Sequence, residues 1–226
     1  MSSAATNLTT FSTGVDDPLT LLPHTPVRAY QKGEAIYGPE DRADALYLVV
    51  EGRVKISRVA EGGKEVILDF YHKDDFFGAA GFLGAGRQGE RAVALDATSV
   101  MMWSIPELKR LMQRNPALGP ALLRIVAEKL ALANTRIESF CVDAINRRLA
   151  KALLYFGARF GQAGEGQFMH VLPVTHEQLA RYVGTSREIV TQYMNQFRKN
   201  GLLNYSRRGV DLDVGAMNNY LASEKA

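Results

Sequence analysis

Between Val27 and Pro106 the apolar residues fall in short runs, several of them alternating with polar ones, separated by glycine and aspartate. The runs are AIY (35–37), ALYLVVEG (45–52), RVKISRV (53–59), KEVILDFY (64–71), RAVALDA (91–97) and SVMMWSI (99–105). This patterning predicts strands, and the glycines in EGRV (51–54) and AEGGKE (60–65) supply the positive φ of tight antiparallel turns. Consecutive hairpins of this kind close into a jelly roll or barrel.

From Pro106 the period lengthens. PELKRLMQRN predicts a short helix with proline in its first turn, ended by Asn115-Pro116. Helix-forming residues then run from Pro116 to Phe140. Leu123, Val126, Leu130, Ala133, Ile137 and Phe140 follow one another at spacings of 3, 4, 3, 4 and 3, which is a heptad seam. A second stripe, Leu118, Leu122, Ile125 and Leu132, lies on another face and suits packing on the β-domain. One helix can thus serve its own core and a twin in a parallel homodimer. An amphipathic helix buried inside a monomer is the plainer alternative.

A further helix is expected from about Val142 to Phe160, followed by GARFGQAGEGQ as a glycine-rich surface connection. Residues 173–212 then carry the densest set of signals. Thr175 followed by Gln178 is a capping box for a helix reaching Val183, with Leu179, Ala180 and Val183 inward. Gly184 ends it, and Ser186 caps a second helix. Two short helices joined by a tight glycine turn form a helix-turn-helix, whose second helix enters the major groove of DNA.

That second helix separates by face. Ile189, Val190, Tyr193, Met194 and Phe197 fall on one side, and Arg187, Glu188, Thr191, Gln192 and Asn195 on the other. Arginine can donate twice to guanine, glutamate can accept from cytosine, and glutamine or asparagine can engage adenine. Arg187, Glu188, Thr191 and Gln192 are therefore the expected base-reading residues. Thr175, Ser186, Arg198, Lys199, Arg207 and Arg208 are the expected phosphate contacts, the last two at the tip of a hairpin, LLNYSRRGVDL, that would form a wing. A helical hairpin with a merely polar exterior is the competing reading.

Charge reinforces the DNA reading once it is divided along the chain. Residues 1–140 carry 16 Lys/Arg against 17 Asp/Glu, and residues 141–226 carry 11 against 7, so the overall +3 is −1 plus +4. A positive field confined to the C-terminal part favours a polyanion there. Cys141, the single cysteine, leaves neither an intrachain disulfide nor a cysteine-bound cluster available. No apolar run approaches the roughly 20 residues of a membrane span, and the polar N-terminus lacks a signal-peptide pattern, so a cytoplasmic protein is expected. The resulting α+β layout is a flexible leader (1–26), an all-β jelly-roll domain (27–115), a long helix that suits dimerisation (116–140) and a winged helix-turn-helix domain (141–226).

This arrangement resembles the cyclic-AMP receptor protein and fumarate-nitrate regulator (CRP/FNR) family from Val27 to Leu212. The landmarks are KGEAIY (32–37), ALYLVVEGRVKI (45–56), FFGAAGFLG (76–84), RRLAKALL (147–154) and HEQLARYVGTSREIVTQYM (176–194). The resemblance implies a ligand-sensing β-roll, a homodimer, a pseudo-palindromic DNA site and RNA polymerase as a further partner. It also implies an effector pocket at Gly78, Ala79, Ala80, Arg91, Ala92 and Asn134, for a cyclic nucleotide or cyclic dinucleotide.

The chain departs from the family's nucleotide-binding members in that pocket. Ala79 stands where they carry a ribose-binding glutamate, and Arg91-Ala92 where they carry an Arg-Ser pair. Gln192 replaces a further base-reading arginine, which implies a different half-site. An effector-independent regulator with a vestigial pocket therefore stays open. Histidine inventory bears on two more readings: His24 or His72 could serve as a haem ligand, whereas a cupin-like metalloenzyme lacks its ligand set, because of His24, His72, His170 and His176 the last two lie far away in the C-terminal domain. A sensor module that binds a partner protein in place of DNA is a third.

Overall fold

The computed structural model describes residues 17–84, 86–164 and 168–223. The chain orders as α1 (Pro18–Leu21), β1 (Arg28–Tyr30), β2 (Ala35–Tyr37), β3 (Ala45–Glu51), β4 (Val54–Val59), β5 (Glu65–Tyr71), β6 (Phe76–Phe77), a 3₁₀ turn (Ala79–Leu83), β7 (Arg91–Ala94), β8 (Thr98–Ser104), α2 (Ile105–Arg114), α3 (Leu118–Val142) and α4 (Ile145–Phe160). It continues with β9 (Gly161–Ala163), β10 (Phe168–Val171), α5 (His176–Val183), α6 (Arg187–Lys199), β11 (Leu203–Ser206), β12 (Gly209–Asp213) and α7 (Val214–Ser223).

Alternation in the N-terminal half produces two four-stranded antiparallel sheets, ordered β1-β8-β3-β6 and β2-β7-β4-β5. Their inner faces enclose Tyr37, Tyr47, Val49, Val54, Ile56, Phe77, Ala92 and Val100. The outer face of the first sheet is covered by α2 and the start of α3, where Leu46, Leu48, Phe76 and Trp103 meet Ile105, Leu108, Leu118 and Leu122. The second sheet carries the DNA-binding domain: Ile67 and Phe70 of β5 share one core with Leu149, Leu153, Phe156, Tyr182 and Val183.

Three expectations need correction. Residues 17–23, assigned to a flexible leader, are ordered: Leu22 is buried in the α2/α3 core, and Trp103 Nε1 donates to the Pro23 carbonyl at 2.8 Å. Apolar burial outweighs the polar look of the segment there; residues 1–16 lie outside the described residues. The helix expected from Val142 begins at Ile145 instead. Asp143 interrupts it in extended conformation (φ −92°, ψ 140°), its carboxylate taken by Ser139, Arg147 and Lys151. Finally, the glycine-rich connection contains a strand: β9, together with β10 directly after the connection, extends the wing into a sheet ordered β11-β12-β10-β9. Gly157 allows this, because any larger side chain would press on the Met169 sulfur, 3.2 Å from its Cβ position.

On α3 the two stripes divide as the spacing implies. Leu118 and Leu122 are buried and Ile125 packs against the same cluster, whereas Leu132, the last residue of that stripe, is half-buried and lies outside it. The heptad residues are bare: Leu123 is 68% exposed, Leu130 60% and Ile137 60%, with Val126, Ala133 and Phe140 also exposed. Among the described residues nothing covers this apolar stripe.

Candidate DNA interface and effector pocket

The helix-turn-helix is built by its caps. Thr175 and Gln178 close a reciprocal capping box, with Gln178 N donating to Thr175 Oγ1 at 3.1 Å and Thr175 N to Gln178 Oε1 at 2.8 Å. Gly184 takes the left-handed conformation (φ +74°) that ends α5, and a Cβ there would lie 2.9 Å from the Phe140 ring. Ser186 caps α6, accepting from Ile189 N at 3.4 Å. Val190, Met194 and Phe197 are fully buried against Leu179, Ala180 and Val183, which rotates the polar side of α6 outward.

Arg187, Glu188 and Gln192 are exposed on that side, and Thr191 is half-buried. The Glu188 carboxyl is held below its usual range by hydrogen bonds from its own backbone N–H and from Ser186; as a carboxylate it can only accept hydrogen bonds. Of the expected phosphate contacts, Thr175, Ser186, Arg198, Lys199, Arg207 and Arg208 are all exposed. Asn195 has another job: its Oδ1 accepts from Arg198 Nη2 (3.1 Å) and from Tyr205 Oη (3.0 Å), tying α6 to β11. Arg207 and Arg208 form the turn between β11 and β12, where Arg208 N donates to Ser206 Oγ.

The six residues expected to form one effector pocket are not brought together. Strand alternation decides Arg91: Ala92 and Ala94 are buried between the sheets, so Arg91 and Val93 point to the outer face of the second sheet. There Arg91 lines an open cleft of about 610 Å³ with Lys55, Arg58, Glu65 and Glu90. Gly78 (φ +83°) backs onto Tyr47, 2.6 Å from its Cβ position, and Ala79 and Ala80 form the half-exposed 3₁₀ turn. Asn134 is exposed on α3. The roll interior is filled by Tyr37, Tyr47 and Phe77, with ring centroids 5.1 to 6.1 Å apart. Tyr37 Oη donates to Glu90, whose carboxyl is pushed up by burial.

Four residues that the sequence did not single out shape these sites. Gln88 is 3% exposed, and neither polar atom of its amide has a hydrogen-bond partner among the described residues. Lys129 of α3 lies 3.9 Å from the Tyr71 ring centre, and burial lowers its ammonium below the ordinary lysine range. Arg159 of α4 reaches across to β5 and the loop after it, donating to Asp75 at 2.5 Å and lying 3.6 Å from Asp69. Arg136 joins three elements at once: from α3 it donates to the carbonyls of Leu68 and Ile67 on β5 and of Tyr182 on α5, and stacks 3.9 Å from the Tyr182 ring centre. None lies in a local motif, and only the long-range docking of β5 on α5 gives Arg136 its partners.

Arg136 is therefore expected to hold the DNA-binding domain against the β-roll. Charge-assisted hydrogen bonds contribute about 1.5 to 3 kcal/mol each, and removing one partner strands the others. Arg136→Ala should lower the unfolding free energy in urea by about 3 kcal/mol. A change within about ±0.5 kcal/mol, the range of an ordinary surface site, would show that the three carbonyls are satisfied without it.

A β-roll joined through a long, partly bare helix to a winged helix-turn-helix with a solvent-facing polar side defines a DNA-binding transcription regulator. Comparison with known proteins gives the family. The model of the cyclic nucleotide-binding domain matches residues 27–115, and that of the Crp-like helix-turn-helix domain matches residues 147–219. A CRP-like cAMP-activated global transcriptional regulator of Mycobacterium tuberculosis is 26% identical over 181 residues, covering 80% of this chain and 81% of the relative. The cyclic AMP receptor protein of Thermus thermophilus is 27% identical over 190 residues, 84% of this chain and 85% of the relative. Among solved structures, a CRP/FNR-family transcriptional regulator from Thermus thermophilus aligns with TM-score 0.68 and 27% identity over 89% of this chain and 100% of that one. FixK2 from Bradyrhizobium japonicum, 23% identical, shares the fold with TM-score 0.76 over 86% of this chain and 96% of its own. The chain belongs to the CRP/FNR family of transcription regulators.

These relatives are regulators, and nothing in the comparisons favours the metalloenzyme reading. Among the described residues no three His, Cys, Asp or Glu side chains are grouped as a metal site requires, and no helix is long and apolar enough to cross a membrane. His72, weighed as a haem ligand, has its Nδ1 within 2.5 Å of Asp75.

Proposed function

We propose that this regulator acts in the cytoplasm as a homodimer joined along α3, setting its two α6 helices in major grooves about 34 to 36 Å apart on an inverted-repeat operator. The observation that carries this reading is the pairing of a bare apolar seam on α3 with an exposed, base-reading side chemistry on α6. Arg187 reads guanine O6 and N7, Glu188 accepts from cytosine N4, and Gln192 engages adenine. Thr175, Ser186, Arg198, Lys199, Arg207 and Arg208 hold the phosphates on either side. RNA polymerase is the partner through which such a bound dimer alters transcription. Selection of bound fragments from genomic DNA tests the reading: inverted repeats bound with a steep salt dependence support it. Failure of the purified protein to prefer any duplex overturns it.

The β-roll is the effector domain, and a cyclic nucleotide or cyclic dinucleotide is the ligand class that the family supplies. The polar contacts by which nucleotide-binding members hold cyclic AMP are reduced here. The Ala79 and Ala92 side chains offer no hydrogen bond, and Arg91 is turned away from the roll interior. A ligand hydroxyl left unpaired on burial costs about 1 to 3 kcal/mol. We therefore infer that cyclic AMP does not control this protein through that contact set. A ligand present at about a hundred times its dissociation constant stabilises by about 2.7 kcal/mol, which moves the melting temperature of a chain this size by several degrees. Millimolar cyclic AMP should leave the melting temperature of this protein within about 1 °C, and a rise of several degrees would overturn the inference.

A further inference from the structure

Thr191 stands on the polar side of α6 between Glu188 and Gln192, yet its hydroxyl is committed inside the protein. Thr191 Oγ1 donates to the Arg187 carbonyl at 2.9 Å, and the same oxygen lies 2.9 Å from His176 Nδ1. A hydroxyl has one proton to give. With that proton on the Arg187 carbonyl, the second contact requires His176 Nδ1–H to donate and Thr191 Oγ1 to accept.

His176 is well placed to do so. It opens α5, is half-buried, and sets its ring edge against Tyr205 of the wing at 5.1 Å and 62°. Burial, together with the Arg187 guanidinium, holds its imidazole below the usual histidine range. The ring is neutral at neutral pH, with its one N–H on Nδ1. The Thr191 oxygen is thereby turned into the angle between α5 and α6, and the γ-methyl is the group left for the outward side.

We propose that Thr191 reads the 5-methyl group of a thymine through its own methyl, and that His176 is the positioning residue that fixes this orientation. Apolar contact with the thymine methyl is a recognised form of major-groove readout and discriminates thymine from every other base. The proposal rests on the reading that α6 enters the major groove.

Thymine-to-uracil exchange in the selected operator isolates the contact, because it removes the 5-methyl and nothing else. A uracil in one half-site should weaken binding by about fourfold, and a uracil in both by about fifteenfold. Thr191→Ser keeps both hydrogen bonds and lacks the methyl, so it should bind the thymine and uracil operators alike. Thr191→Val keeps the methyl and should retain the preference. His176→Ala frees the hydroxyl to turn, so the thymine-to-uracil ratio at that position should fall towards one while discrimination at the Arg187 base pair stays. Indifference of the wild-type protein to uracil at every position would overturn the proposal. So would a preference kept by Thr191→Ser and lost by Thr191→Val, which would assign the reading to the hydroxyl. Selection that enriches no duplex at all would instead overturn the placement of α6 in a groove.

Discussion

Leu130→Glu should convert the protein to a monomer at micromolar concentration and weaken operator binding by about a hundredfold or more. Leu130 sits in the middle of the seam and is 60% exposed, so its own chain gives up little core when it is changed. In a parallel dimer each seam side chain meets its twin, and burial of a leucine contributes about 1.5 to 3 kcal/mol per copy. A glutamate pair there removes that burial and faces two like charges across a dry interface. Two half-sites held by one dimer bind far more tightly than either alone, so losing the seam forfeits the avidity as well. Sedimentation of the variant and a mobility-shift titration check both effects. Because the position is bare in the single chain, its melting curve should change little beyond the loss of dimer stabilisation. A variant that sediments as a dimer and binds as the parent does would remove α3 from the interface.

Arg187→Ala should lower affinity for the selected operator by about 2 kcal/mol per half-site, and relax specificity at one base pair in each. Arg187 occupies the first turn of α6, exposed, with its backbone carbonyl held by Thr191 and its side chain free of any ion pair among the described residues. A bidentate pair with guanine contributes about 1 to 3 kcal/mol of discrimination, and its removal leaves the other base contacts in place. Binding to each single-base operator variant gives the readout. Removal of Arg207 or Arg208 supplies the contrast, since two wings with one fewer cation each at the phosphates should bind all sequences more weakly alike and lower the salt slope by about two for the dimer. Equal binding of every operator variant by Arg187→Ala and by the parent would mean that α6 does not read bases through its first turn.

What was legible along the chain was whatever depends on neighbours within a few residues. The capping box at Thr175 and Gln178, the left-handed Gly184 and the Ser186 cap are local hydrogen-bond devices, and all three appear where the spacing puts them. The two stripes of α3 are equally local, because a period of about 3.5 to 3.6 residues fixes which side chains share a face before any partner is present. The break at Asp143 was harder to see. It follows from a carboxylate collecting Ser139, Arg147 and Lys151, a choice among competing hydrogen bonds that propensity does not reveal.

The outward placement of Arg91 was hidden for a different reason. The resemblance supplied residue names, but a slip of one position along a strand sends a side chain to the opposite face. Register with β4 puts Ala92 inside and Arg91 outside. It likewise took the folded chain to show that Thr191, assigned to base reading by its face alone, has its oxygen engaged by His176 fifteen residues earlier.

The sequence by itself determined the strands of the β-roll, most of the helices, the caps, the apolar stripes of α3 and the polar face of α6, since each is set by backbone period and short-range hydrogen bonding. Only the tertiary structure decided that β5 would share a core with α4 and α5, and that Arg136 would bind the carbonyls of both β5 and α5 at once. Partners that stand 46 and 69 positions away from Arg136 carry no signature in local pattern. They meet because two apolar faces, each unable to shed water alone, were closed against one another.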